Sequence, residues 1–234
     1  YNKTLPKKSK RAINLGKIAE TNKNAYFEID KLARHTLIAG STGSGKTVSA
    51  QVIIEEALLK GISVIVFDPT AQWTGFLQKC KEKFMLDMYK DFNLDIKDAK
   101  AFNGNIRQVT NPRQIIDIKS MMKPGEINVI VINKLESQDS DTIVANTIRE
   151  VFHSNLEESK ELKLMMVYDE VHRLLPKFGG SGQGFIQIER ACREFRKWGI
   201  GLMLISQVIG DFKSEIKANI NTEIQMKTKQ EDDL

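Results

Sequence analysis

Cysteine and histidine are scarce, with two of the first and three of the second in 234 residues. Cys80 and Cys192 lie far apart and outside any Cys-x-x-Cys or Cys/His cluster. They build neither a disulfide framework nor a zinc site, and inert thiols in a reducing, cytoplasmic setting are the expectation. Long apolar runs are also missing. The longest candidates, such as Ile62–Phe67 and Gly201–Ile205, have the length of strands, far below the ~20 residues of a membrane span. Tyr1–Ala12 is basic but leads into no apolar stretch, so the pattern of a signal peptide is absent. No repeat occurs at solenoid or propeller periods. Collagenous, disordered, disulfide-scaffold and membrane-spanning classes are thereby excluded.

Charge is present and unevenly placed. The chain has 35 Lys and Arg against 30 Asp and Glu, a net +5. Lys3, Lys7, Lys8, Lys10 and Arg11 stand in residues 1–12 without an acid, so residues 13–234 are neutral overall. The excess belongs to a basic N-terminal arm, which either neutralises phosphates or is simply solvated. A neutral body argues against a broad basic face, although a basic channel lining in an oligomer stays open.

Along residues 13–234, strand-length apolar runs alternate with amphipathic helices. Thr36–Ala39, Ile62–Phe67, Asn128–Asn133, Leu164–Tyr168 and Ile200–Ser206 read as strands, and Thr222–Met226 as a sixth. Lys46–Lys60, Thr142–Asn155 and Phe185–Lys197 read as helices. Near-continuous apolar strands between helices mean a mostly parallel central sheet flanked by helices, an α/β class. Residues 75–127 break the rhythm, with a helical stretch at Gly75–Met85 and several turn signals; they read as a variable insertion packed on one edge of the sheet. Lys177–Gly184 is rich in glycine, a lid, a pore loop or only a connector.

Residues 40–47, Gly-Ser-Thr-Gly-Ser-Gly-Lys-Thr, match the phosphate-binding loop G-x-x-x-x-G-K-[ST] between a strand and a helix. Gly40, Gly43 and Gly45 let backbone amides crowd a phosphate, and the helix beginning near Lys46 aims its positive end at the same place. Ser41, Thr42, Ser44, Lys46 and Thr47, with Val48 just beyond, complete the candidate nucleotide contacts. Lys46 is positioned for the β- and γ-phosphates and the Thr47 hydroxyl for Mg²⁺. Leu164–Tyr168 ends in Asp169 and Glu170: Asp169 would hold the metal through water, and Glu170 would orient and deprotonate the attacking water. Asn133-Lys134-Leu135-Glu136 lacks the final Asp of a guanine-reading motif, so ATP is the expected nucleotide. Gln207 ends the next strand and is a candidate γ-phosphate sensor, or merely a polar strand end. Arg190, Arg193 and Arg196 share a helical face; their place between the two strands points to Arg193 and Arg196 as arginine fingers, with a solvated stripe as the alternative.

The segments RHTLIAGSTGSGKT, FDPTAQW, YDEVHRLLP and CREFRKWGIGLMLISQ together resemble the HerA branch of the HerA/FtsK-type ATPases. The likeness runs from about Leu15 to the C-terminus, apart from residues 75–127. It implies a RecA-like (ASCE-type) core assembled as a hexameric ring with ATP and Mg²⁺ between subunits. It further implies Gln207 as sensor and Arg193, Glu194, Arg196 and Lys197 as the family's basic segment. The expected function is an ATP-hydrolysing motor moving double-stranded DNA, with a nuclease as a possible partner. The alternatives are a secretion, pilus or conjugation-type traffic ATPase and a scaffold-like ATPase of a defence complex. Two stretches depart from the family pattern: Asp68-Pro-Thr-Ala-Gln72 stands for Asp-Pro-x-Gly-Glu, and Val208-Ile209 stands for Arg-Pro after the sensor. The family's N-terminal barrel is not in this stretch, and the chain reads as a core fragment of a longer protein.

Overall fold

A computed structural model of the chain describes residues 6–92, 94–174, 182–207, 212 and 214–227. Lys3, residues 177–181 of the glycine-rich loop, Val208 and Ile209, and residues 228–234 lie outside the described residues. The first half runs β1 (Ala12–Lys17), β2 (Asn24–Glu28), β3 (Thr36–Ala39), α1 (Lys46–Leu59), β4 (Ser63–Asp68), α2 (Lys83–Asp87), β5 (Gly104–Gln108) and α3 (Ile118–Met121). The second runs β6 (Ile127–Val131), α4 (Ser137–His153), β7 (Ser159–Tyr168), α5 (Val171–Leu174), α6 (Gln183–Glu194), β8 (Trp198–Ser206), α7 (Ser214–Lys217) and β9 (Thr222–Gln225).

Among the described residues seven strands form one sheet in the order β5-β6-β4-β7-β8-β3-β9, and every neighbouring pair is parallel. Strand periodicity divides its side chains between two cores. Ile65, Phe67, Leu164, Met166, Tyr168, Leu202 and Leu204 pack under α4 and α6. Val64, Val66, Met165, Val167, Met203 and Ile205 pack under α1 and the 3-10 turn Ile29–Arg34. Burial on both faces is why these strands carry no polar alternation. Phe67 and Tyr168, opposite each other on β4 and β7, stack with ring centroids 4.8 Å apart. The parallel α/β core expected from the sequence is the architecture observed.

Four local features differ from the sequence reading. Arg11 and Ala12, read as part of a free arm, join the fold. Ala12 is buried at the start of β1, and the Arg11 guanidinium pairs with Asp30, whose carboxylate also accepts the Leu162 N–H at 2.8 Å. Lys7, Lys8 and Lys10 remain exposed in irregular chain. β1 and β2 form an antiparallel hairpin outside the main sheet. Within residues 75–127, read from sequence as an insertion on one sheet edge, Gly104–Gln108 is itself the edge strand, paired with β6, and residues between 75 and 102 lie against one face of α1. The polar, exposed residues of that strand hide it from an apolar pattern. The helix read over Gly75–Met85 is instead a 3-10 turn at Gln72–Leu77 and the short α2.

The end of the sheet where β3 and β8 begin is held by a buried histidine. His35 Nδ1 accepts the Leu202 N–H at 3.0 Å, and with that nitrogen unprotonated Nε2 donates to the Cys192 carbonyl at 3.0 Å. Burial lowers its pKa from 6.5 to about 4. As pH falls, the unfolded chain therefore takes up this proton first. The stability of neutral His35 is complete above pH ~6.5 and is lost as pH approaches 4, by about 3 kcal/mol. Urea unfolding of the parent and His35→Gln should show a gap at pH 7.5 that narrows by about that order at pH 4.5. A constant gap would mean that His35 does not titrate across this range.

Candidate functional site

In a parallel sheet the C-terminal strand ends share one edge, and the register fixes which residues meet there. Ala39 lies opposite Ser206 and Tyr168 opposite Leu204. Gly40 therefore follows β3 beside Gln207, and Asp169 and Glu170 follow β7 one strand farther on. β8 stands between the strand feeding the phosphate-binding loop and the strand carrying the acids.

Gly40–Gly45 links β3 to α1. Gly40 passes so close to β9 that a Cβ there would lie 2.6 Å from the Met226 Cβ. The Ser41 N–H and hydroxyl donate to the Lys227 carbonyl at 3.0 and 2.9 Å, tying down the first half of the loop. Gly45 caps α1 in the left-handed region at φ 94° and supplies no capping side chain. The first N–H groups of a 14-residue helix are left for an anion. Lys46 is buried and its ammonium folds back to the Ser41 carbonyl at 3.3 Å. The Ser44 hydroxyl is buried with no partner among the described residues. Uncapped amides, an ammonium and an orphaned hydroxyl within one short loop fit a phosphate group. Thr42 and Gly43 are exposed at the loop's tip, while Thr47 and Val48 lie half-buried in the first turn of α1.

Asp169 is fully buried and held at both oxygens. Its Oδ2 accepts the indole N–H of Trp73 at 2.8 Å, and its Oδ1 accepts the Glu170 N–H at 2.9 Å. Burial raises its pKa to about 6, with the Trp73 bond acting against that and the neighbouring Glu170 and Asp68 adding to it. Trp73 is in turn placed by Asp68, which accepts its backbone N–H at 2.8 Å and the Thr70 N–H and hydroxyl at 2.9 and 3.0 Å. The departure at residues 70–72 thus forms a turn that delivers an indole to a buried carboxylate.

Glu170 sits at φ 44°, strained for a side-chain-bearing residue, at the turn into α5. Its Oε2 accepts the Gln207 amide at 3.3 Å and lies 3.3 Å from His172 Nδ1. The structure brings Lys46, Thr47, Asp169, Glu170 and Gln207 to one edge. Trp73 and His172 join them there; neither was assigned from sequence, although both lie inside the quoted segments FDPTAQW and YDEVHRLLP.

Arg193 and Arg196 are elsewhere. They precede β8, whose nine residues put about 30 Å between them and Gln207. Both are exposed; Arg193 bonds Glu189 at 2.6 Å, and Arg196 makes no ion pair among the described residues. They border a cleft of about 970 Å³ that Lys31, Arg34, Lys160 and Lys197 also line. Arg190 is engaged locally, 3.9 Å over the Phe152 ring and paired with Glu194.

Residues 13–96 match the family described as the central domain of helicase HerA. The chain is 22% identical over 85% of its length to a DNA double-strand break repair helicase HerA of Sulfurisphaera tokodaii, of which it covers 56%. It thus spans about half the length of the curated relatives it matches. Its fold is similar to VirB4 of Thermoanaerobacter pseudethanolicus, with TM-score 0.55, 13% identity, and 96% of this chain and 86% of that one covered. It is also similar to the genome packaging NTPase B204 of Sulfolobus turreted icosahedral virus 2, solved with AMPPCP. There the TM-score is 0.50 and the identity 13%, with 85% and 77% of the chains covered. Family match, relatives and loop geometry agree: the chain is similar to the P-loop ATPase cores of the HerA/FtsK type.

Proposed function

We propose that this chain hydrolyses ATP with Mg²⁺ as part of an oligomeric ring acting on double-stranded DNA. The observation that carries the hydrolytic reading is Glu170, held by the Gln207 amide at the strand edge that also bears the phosphate-binding loop. The α1 amides and Lys46 grip the β- and γ-phosphates. Among the described residues no group of three or more His, Cys, Asp and Glu could hold a metal. The Thr47 hydroxyl as a direct ligand and the Asp169 carboxylate acting through water suit an ion that takes its remaining ligands from phosphate and water. Mg²⁺ bound there supplies charge neutralisation for the phosphate oxygens. Glu170 accepts the proton of the attacking water, and Gln207 keeps its carboxylate turned to the γ-phosphate side.

Lys46→Ala should abolish both triphosphate binding and turnover. Glu170→Gln should keep near-parental ATP affinity and lose roughly 10²-fold or more in rate. Loss of binding in Glu170→Gln would make this acid a structural strand end.

Trp73→Phe keeps an aromatic ring in the pocket but removes the N–H from Asp169. Outer ligand partners of this kind are worth roughly 10–100-fold in metal affinity. The Mg²⁺ concentration needed for half-maximal nucleotide binding should rise by about that range while thermal unfolding stays cooperative. An unchanged Mg²⁺ requirement would make Trp73 a packing residue only.

The ring reading draws support from the position of Arg193 and Arg196, too far from their own loop to serve it and exposed for a neighbour's. The kinship with HerA-named helicases supports the choice of DNA. Duplex DNA should stimulate hydrolysis several-fold. Mixing Arg196→Ala or Arg193→Ala with Lys46→Ala, each inactive alone, should recover part of the rate, since hybrid rings contain intact interfaces. No DNA stimulation favours a protein-moving or scaffold role; no complementation in exchanging rings removes the arginine fingers.

A further inference from the structure

The cleft bordered by Arg193 and Arg196 lies where β7, β8 and β3 begin, at the opposite end of the sheet from the phosphate-binding loop. Its lining holds six cations, Lys31, Arg34, Lys160, Arg193, Arg196 and Lys197, against three acids, Asp30, Glu158 and Glu194. Residues 13–234 are neutral overall, so this local excess is balanced by acid elsewhere. Two of the three acids are already engaged. Glu194 bonds Arg190 at 3.3 Å and Lys197 at 3.1 Å, and Asp30 takes the Arg11 guanidinium. Lys31, Arg34, Lys160 and Arg196 are exposed and make no ion pair among the described residues.

The basic N-terminal arm opens onto the same place. Where it joins the fold, the Arg11 carbonyl accepts the Ile29 N–H at 2.9 Å, two residues before Lys31. Asp30, which Arg11 neutralises, is fixed by the Leu162 N–H at 2.8 Å, two residues after Lys160. Lys7, Lys8 and Lys10 are exposed and, by chain length alone, lie within about 14 Å of Arg11. The sequence separates a basic arm from a neutral body; the fold makes arm and cleft one cationic surface. Arginines and lysines divide it. Arg34, Arg193 and Arg196 gather with Asn219 and Asn221 in a smaller pocket beside the start of β9. Lys31, Lys160 and Lys197 stay on the β7 side, next to the arm.

We propose that the lysine side of this cleft, together with the arm, is a docking surface for the phosphate backbone of duplex DNA. The inference rests on the choice of DNA made above and adds the surface that grips it, leaving the arginine side to a neighbour's loop. Three features select this partner. Lysines are flexible point charges that meet phosphates without demanding one fixed geometry. Among the described residues the only apolar member of the lining is Ala33, so a protein partner finds no pocket of the kind that anchors interfaces. None of the described lining residues is aromatic, so the bases of a single strand have nothing to stack on. Charge without stacking or apolar anchors fits a duplex, whose bases are paired inside and whose phosphates face out. Such a surface holds DNA without reading its sequence.

The test is duplex binding by the intact protein, read as fluorescence anisotropy of a labelled blunt duplex over a series of salt concentrations. Each lysine that neutralises a phosphate adds about 0.9 to the slope of log affinity against log salt. Replacing Lys7, Lys8, Lys10, Lys31 and Lys160 together by Ala should flatten that slope by about four, equally for duplexes of unrelated sequence. Lys31→Ala and Lys160→Ala alone should each remove about one, which keeps the test readable if the fivefold variant folds poorly. Lys90→Ala with Lys134→Ala, exposed lysines outside the cleft, should leave the slope unchanged, and hydrolysis without DNA should stay parental in every variant. An unchanged slope in the cleft and arm variants, when the parent binds duplex, overturns this surface and leaves the DNA reading intact. Tighter binding of a single strand than of the duplex overturns the duplex assignment. Loss of poly-glutamate binding in variants that keep parental duplex affinity would hand the surface to an acidic protein instead. If the parent binds no DNA, the DNA reading itself fails and the surface falls with it.

Discussion

Parallel hydrogen bonding across β4, β7, β8 and β3 is the constraint on which everything else in this molecule depends. Because these strands all point one way, their following residues are delivered to a single edge. The register then sets Gly40, Gln207, Glu170 and Asp169 at nearly one level. Such strands are covered on both faces, so their sequences are apolar throughout and cannot themselves carry chemistry. Function is forced into the first residues beyond each strand. Those residues are the ones with strained or close-packed backbone: Gly40 against Met226, Gly45 at the helix cap, Glu170 in a left-handed turn.

The second level of organisation is a relay of polar contacts behind the edge. Asp68 orders the turn that carries Trp73, Trp73 orders Asp169, and Asp169 receives the N–H of the residue that follows it. A buried carboxylate without such partners would be costly to ionise. With both oxygens bonded, its burial becomes a way of fixing direction. On the other side of the site the Ser41–Lys227 contacts perform the same service for the loop, beside the packing of Met226 on Gly40.

Much of this was legible in the chain and some was not, for identifiable reasons. Buried parallel strands announce themselves as uninterrupted apolar runs, which is why β3, β4, β6, β7 and β8 could be read to within a few residues. The phosphate-binding loop was legible because its chemistry demands glycines and a lysine at set spacing. β5 was hidden because an edge strand lies half in solvent: only Ile106 is apolar between Asn105 and Arg107. The hairpin of β1 and β2 was hidden for a similar reason: β2 is half-buried along its length, and in β1 the buried Ala12 and Ile13 are followed by mixed residues with no apolar run. Trp73 and His172 were present in recognisable segments, yet nothing in spacing tells which buried group an indole will meet 96 residues along the chain, nor that the left-handed turn at Glu170 brings His172 back to it. Arg193 and Arg196 show the converse: helical spacing put them on one face, and only topology reveals that this face is at the far end of β8.

The seven strands are unequal in a way that bears on solubility. β7 and β8, at the centre, have ten and nine residues, whereas the outer strands β5 and β9 have five and four. A sheet that tapers towards both margins offers little continuous unpaired backbone to a foreign strand, and Arg107 on β5 places a charge on the longer of the two. Edge-to-edge stacking, the usual hazard of a wide open sheet, is thereby discouraged. The broad centre supplies rigidity where strand ends must hold their level, and the narrow margins keep that breadth from becoming a template for aggregation.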